Sequence, residues 1–167
     1  MTKELILGCG HNKNKSMANV EYENPTTIDI NPDVNPDIIL DLSKEKLPFE
    51  DNTFDEIHAY QVLEHLGMQG QYILFFSQFE DYWRVLKPNG LMIITVPNDD
   101  NKWTWGDPGH CRVINSGTLT FLDQEQYKKQ LGKTSMTDYR NVYKGNFKLL
   151  KYIKGEVSTL FVLICIK

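Results

Sequence analysis

An apolar run ending in two spaced glycines, Glu4-Leu5-Ile6-Leu7-Gly8-Cys9-Gly10, is followed by a second run ending in an acid, Thr26-Thr27-Ile28-Asp29. Together they fix how this chain can begin. Residues 5–7 have the side chains of a buried strand, and the glycines permit a tight turn in which backbone N–H groups approach a ligand. Asp29 falls 21 residues after Gly8. At about that separation the second strand of a βαβ unit presents an acid to ribose hydroxyls. Glycines so spaced also serve ordinary strand-to-helix turns. The acid at the end of a strand is what turns the reading toward a nucleotide-like cofactor.

The rest of the chain continues the alternation of strand and helix. After a polar stretch at residues 11–24, with room for one short helix, strands are expected at residues 26–30, 37–42 and 54–60. Tyr72, Phe75, Phe76, Phe79, Tyr82, Trp83 and Leu86 recur at three- and four-residue spacing and mark a helix over residues 72–86. Lys87-Pro88-Asn89-Gly90 ends it, because proline cannot continue the ladder and glycine accepts a left-handed turn. A fifth strand follows at residues 91–96, then a loop at 97–114. Asn115 is a natural N-cap for a helix running to about residue 131. Two strands around Lys154-Gly155, at 147–153 and 157–166, close the chain as a hairpin.

The 167 residues are 41% hydrophobic and 24% charged, which suits one domain spanning residues 1–167 with a substantial core. A net charge of −4 offers no basic surface for nucleic acid or anionic lipid, so a small-molecule partner is expected. Cys9, Cys111 and Cys165 lack CxxC or CxxH spacing and imply neither a disulfide framework nor a zinc site. No leader precedes the first strand and no apolar run spans a bilayer, so a cytoplasmic location is expected. Oligomeric state is not legible.

Further phrases carry a resemblance. Leu7-Gly8-Cys9-Gly10, Ile28-Asp29-Ile30, Leu47-Pro48-Phe49 with Phe54-Asp55-Glu56-Ile57, Val62-Leu63-Glu64-His65-Leu66, and Arg84-Val85-Leu86-Lys87-Pro88-Asn89-Gly90 before Val96-Pro97 stand in order along most of the chain. Motif by motif this resembles class I S-adenosylmethionine-dependent methyltransferases, small type 11-like members among them. Asp107-Pro108-Gly109-His110 is similar to a DPxH element of small members. The resemblance implies an α/β, Rossmann-like fold: a mostly parallel seven-stranded sheet, a C-terminal antiparallel hairpin and helices on both faces. It also implies S-adenosylmethionine as cofactor, S-adenosylhomocysteine as product, and methyl transfer to an oxygen or nitrogen nucleophile. Residue by residue, Gly8, Cys9, Gly10 and His11 would form the loop at the methionine moiety. Asp29 would take the ribose hydroxyls, Ile30 the adenine face, Asp41 and Leu42 the adenine amino group and ring, and Tyr60 and Gln61 the sulfonium side.

Three departures stand out. Ile6 occupies a position where the family usually has an acid, Asn12 replaces a third glycine, and Gln61 replaces the first acid of an ExxEH element that ubiquinone-biosynthesis relatives associate with a metal. No metal is therefore expected. Other residues read two ways. Asp41 either caps a turn or meets the cofactor. Glu64 and His65 either begin a helix or face the substrate. Trp103 and Trp105 either close over a substrate or roof the sheet. Cys9 lacks a base and is a poor nucleophile candidate, and His58 reads as packed. His110 is the first candidate base for the acceptor's proton, His65 the second, and Asp107 a possible orienter. The alternatives are a catalytically degenerate binding module, prompted by Ile6 and Asn12, and an NAD-dependent oxidoreductase, which would want the third glycine.

Overall fold

The computed structural model describes residues 2–11, 13 and 25–167. Strands β1 (Glu4–Leu7), β2 (Thr26–Asp29), β3 (Ile38–Ile39), β4 (Phe54–Tyr60) and β5 (Leu86–Pro97) pair in parallel, and β6 (Phe147–Lys154) and β7 (Ser158–Cys165) complete the sheet as an antiparallel pair. Their order is β3-β2-β1-β4-β5-β7-β6. β1 sits between β2 and β4, so the direction of winding reverses there. In open sheets of this kind, ligands bind outside the carboxyl ends of the strands at that reversal.

Strand alternation divides the core. Leu5, Leu7, Ile57, Ala59, Met92 and Ile94 belong to one large cluster, with Phe75, Phe76, Phe79, Tyr82 and Val85 of helix α1 (Tyr72–Val85). Ile6 turns to the other face and packs with Cys9 and Val34. Burying each large apolar side chain is worth about 2 kcal/mol, so the aromatic stripe of α1 is what docks that helix. Its buried polar residues hold the preceding loop. Asp81 accepts from the Leu47 amide at 2.7 Å, Gln78 donates to the Leu42 carbonyl at 3.0 Å, and Arg84 donates to the Leu47 and Phe49 carbonyls. The Leu47-Pro48-Phe49 and Arg84 phrases are thus one structural clamp.

Several expected boundaries move. Helix α1 ends at Val85 and Leu86 already pairs with Phe54, so Lys87-Pro88-Asn89-Gly90 is an excursion inside β5; Asn89 takes φ 64°. The expected third strand shrinks to two residues: the Asp37 carboxylate takes both the amide and the hydroxyl of Thr27 at its start, and Asp41 turns the chain at its end by accepting from the Ser43 amide. The segment at 97–114 holds a short helix, α2 (Lys102–Gly106), capped by Asn101. The helix expected from Asn115 to about residue 131 is two, α3 (Ser116–Thr120) and α4 (Gln124–Gln130). Asn115 caps the first as expected. Between them Leu122 gives its carbonyl to the Phe147 amide at 2.9 Å and Asp123 caps α4, which ends the first helix. The short helix expected within residues 11–24, and Asn12, lie outside the described residues. No helix among the described residues is long and apolar enough to cross a membrane.

Candidate active site at the carboxyl edge of the sheet

The turn after β1 has the backbone that its glycines predict. Gly8 and Gly10 adopt φ 59° and 53°. A Cβ on Gly8 would stand 2.4 Å from Cγ2 of Val62, whereas one on Gly10 would meet nothing within 4 Å among the described residues. Gly8 therefore lets β1 and the segment after β4 close on each other, and none of the described residues crowds Gly10. Asp29, at the tip of β2, accepts from the Gly10 amide at 2.8 Å and the Asn31 amide at 2.9 Å. The same acid expected to reach for ribose also fixes the glycine turn. Cys9 is 5% exposed, and burial, then the Asp29 charge, pushes its thiol up, the opposite of an activated nucleophile. His11 is exposed beside this turn.

Ile30 follows Asp29 with 63% of its surface exposed, which leaves an apolar face free beside the acid. A glycine turn uncrowded by the described residues, an acid at a strand tip and an exposed apolar residue beside it fit an adenosine-bearing cofactor. The next pair is less available. Asp41 accepts from the Ser43 amide and pairs with Lys44 at 2.8 Å, so it caps a turn; the Lys44 contact comes first in holding its carboxyl below the ordinary range. Leu42 is 8% exposed and belongs to the core. At the end of β4, the Tyr60 hydroxyl and His58 Nδ1 share a hydrogen bond of 2.8 Å, and His58 Nε2 lies 3.0 Å from Glu56. His58 is packed, as expected. Gln61 takes φ 55°, a strained conformation at the strand tip, and its amide donates to the Thr95 carbonyl at 2.8 Å.

Across the edge, the segment after β5 folds back on the segment after β4. The Cys111 and Arg112 amides both donate to the Glu64 carbonyl, and the His65 Nδ1 bonds to the Gly109 carbonyl at 2.9 Å. Asp107 accepts from the Gly109 amide at 2.7 Å, closing a tight loop. The result brings His65 and His110 together with ring centroids 4.7 Å apart, while Asp107 stands 3.8 Å from His110 Nε2. All three expected acceptor-side residues thus share one place.

Glu64 is the residue that the sequence understated. It lies in a 3-10 turn, Leu63–His65, seven residues before α1 begins, so it does not start that helix. Its side chain is 2% exposed and neither carboxylate oxygen has a partner among the described residues. Burial, with the Asp107 charge adding to it, pushes its carboxyl up to about 7. The clue in the sequence was its setting between Val62-Leu63 and Leu66. Arg112 was missed outright. Its guanidinium, 7% exposed, donates to the Met68 carbonyl, lies over the Phe75 ring, and has no carboxylate partner among the described residues. It lines a cavity of about 300 Å³ with Met68, Tyr72, Phe75, Phe121 and Tyr139. Trp103 and Trp105 do not roof the sheet; they stand 55% and 75% exposed on α2.

A mostly parallel sheet that reverses beside a glycine turn, with an acid at the next strand tip, defines a Rossmann-like nucleotide-cofactor fold. Comparison with known proteins narrows it. The methyltransferase-domain family matches residues 5–94, just over half of the chain. A probable S-adenosylmethionine-dependent methyltransferase of Mycolicibacterium smegmatis is 32% identical over 81 residues, which are 46% of this chain and 29% of that protein. The aligned segment thus spans less than a third of that relative. Among solved structures, the N-methyltransferase NodS of Bradyrhizobium japonicum WM9 in complex with S-adenosylhomocysteine superposes with TM-score 0.63 at 13% identity, covering 99% of this chain and 79% of that one. A methyltransferase from Archaeoglobus fulgidus gives 0.61 at 14% identity, covering 98% and 86%. At such identities these two speak for the fold. The chain belongs to the class I S-adenosylmethionine-dependent methyltransferase family.

Proposed function

We propose that this protein transfers a methyl group from S-adenosylmethionine to an oxygen or nitrogen of a small-molecule acceptor. The observation that carries the reading is the convergence, on one edge of the sheet, of the Gly8–Gly10 turn and Asp29 with the His65–His110 pair. Gly8, Cys9, Gly10 and His11 frame the methionine end, Asp29 takes the ribose, and Ile30 offers the adenine an apolar face. Asp41 and Leu42, in the segment after β3, border the adenine, and Tyr60 and Gln61 border the sulfonium. When bound, the cofactor supplies an already activated methyl group on a sulfonium, so alignment is the protein's main contribution.

The acceptor must also lose a proton. We assign that role to His110 and then to His65, which lies beside it, with Asp107, 3.8 Å from His110 Nε2, as the orienter. The cavity beside Arg112 suits a compact apolar acceptor body, being at the small end of ligand pockets. Calorimetric titration with S-adenosylmethionine, S-adenosylhomocysteine and, as control, NAD tests the cofactor. Micromolar binding of the first two alone supports the reading; binding of NAD alone overturns it in favour of an oxidoreductase. A second reading, a cofactor-binding module without turnover, draws on Ile6, which is 2% exposed in the small apolar cluster where the family usually has an acid. Cofactor binding with no transfer to any acceptor would favour it.

A further inference from the structure

The side chains of Glu64, His65 and His110 each bring one donor atom to a common point, all within 4.8 Å of one another. Donors around a tetrahedral ion with bonds of 2.0–2.1 Å stand about 3.3 Å apart, so a contraction of at most about 1.5 Å would close the set. Proximity alone would not make a site. The second observation is that Glu64, 2% exposed, has both carboxylate oxygens buried with no hydrogen-bond partner among the described residues. A carboxylate placed so deep without a donor costs several kcal/mol unless a cation meets it or it takes up a proton, and above about pH 7, where Glu64 releases its proton, a cation is what removes that cost.

The two imidazoles complete the argument. His65 Nδ1 faces the Gly109 carbonyl at 2.9 Å. A carbonyl can only accept, so Nδ1 carries the proton and Nε2 keeps its lone pair. Metal-binding histidines are held in this way. The His110 side chain is 8% exposed, and its buried Nδ1 has no partner among the described residues. Gly109 eases the geometry, because a Cβ there would stand close against His65 Nδ1 at 3.1 Å and Asp107 at 3.2 Å.

We propose that Glu64, His65 and His110 form a site for one divalent transition-metal ion, with two nitrogens and one oxygen as ligands and the remaining positions open. That donor set suits zinc, cobalt or ferrous iron better than magnesium or calcium, which favour all-oxygen shells. The expectation of no metal rested on Gln61. The donors assembled here do not involve position 61; the third comes instead from the loop after β5. The proposal deepens the reading of the histidine pair above and rests on that reading only for its catalytic consequence. An ion held there would engage the lone pairs of the two imidazoles, so they would serve as ligands in place of bases, and the ion would supply the acidification of a bound acceptor hydroxyl.

The test is titration of chelator-treated protein with cobalt(II), followed by the visible d–d absorption of nitrogen-ligated cobalt, and with zinc(II) by competition. One equivalent should bind with saturable, intense bands. Glu64→Gln and His110→Ala should each weaken binding at least about 10-fold, while Cys111→Ser, a change in an exposed neighbour, should leave it unaltered. Retained S-adenosylhomocysteine affinity shows that each variant is folded. Absence of saturable bands, or bands unchanged in both ligand variants, would overturn the proposal. Neither readout depends on methyl transfer, so loss of the activity reading and loss of the metal site are told apart.

Discussion

Glu64 makes the folded protein sensitive to pH in a way that can be calculated. Burial lifts its carboxyl from 4.5 to about 7. At 1.36 kcal/mol per pH unit, that rise corresponds to about 3 kcal/mol. The unfolded chain releases this proton near pH 4.5, whereas the fold retains it until about 7. Over that window the native state binds more protons than the unfolded state, so stability falls as pH rises and levels off above it. Glu64→Gln keeps the shape and removes the charge. Urea or thermal unfolding of chelator-treated wild type and variant, between pH 4.5 and 8, measures the difference. The two should coincide near pH 4.5 and diverge by up to about 3 kcal/mol at pH 8, with the variant the more stable, a shift of several degrees in midpoint. Titration of other groups cancels in the comparison. Parallel curves across the whole range would refute the reasoning, since Glu64 would then be carrying no buried, unpaired charge.

Other substitutions separate roles at the same edge. Asp29→Ala should weaken S-adenosylmethionine binding at least about 10-fold, the scale of losing a charge-assisted hydrogen bond, and unaltered affinity by calorimetry would remove the ribose assignment. Gly8→Ala combines a left-handed backbone with a Cβ 2.4 Å from Val62, and should cost about 3 kcal/mol in urea unfolding. If the clash with Val62 is the cause, the Gly8→Ala, Val62→Ala pair will be less destabilised than the sum of the two single changes. His110→Ala should lower turnover while cofactor affinity stays nearly constant; unchanged turnover would take His110 out of the chemistry.

What the sequence made legible was whatever depends on near neighbours. The period of Phe75, Phe76, Phe79 and Tyr82 located α1, and the Lys154-Gly155 turn between two strand-like runs located the hairpin, because each signal is local to its own segment. The glycine turn and Asp29 were readable for the same reason, each sitting directly after a strand. The misses have a common cause in bonds between distant segments. Nothing near Leu122 announces that its carbonyl will go to Phe147, yet that bond is what divides one expected helix into α3 and α4. Asp37 looks like a strand residue until its carboxylate is occupied by Thr27.

The acceptor side follows the same logic with larger consequences. His65 and His110 were each recognisable as candidates, but their meeting depends on the Cys111 and Arg112 amides reaching the Glu64 carbonyl, a contact across the interval between two strands' following loops. Once that contact forms, Glu64 is carried inward with its oxygens unpartnered among the described residues, and Arg112 is buried beside the cavity. Neither fate is a property of the residue or of its neighbours. A buried acid and a buried cation, both brought in by one loop docking onto another, are costly arrangements, and such costs gather at functional sites. That cost, with both Glu64 oxygens unpartnered among the described residues, is the ground on which we assign the carboxylate to the histidine pair.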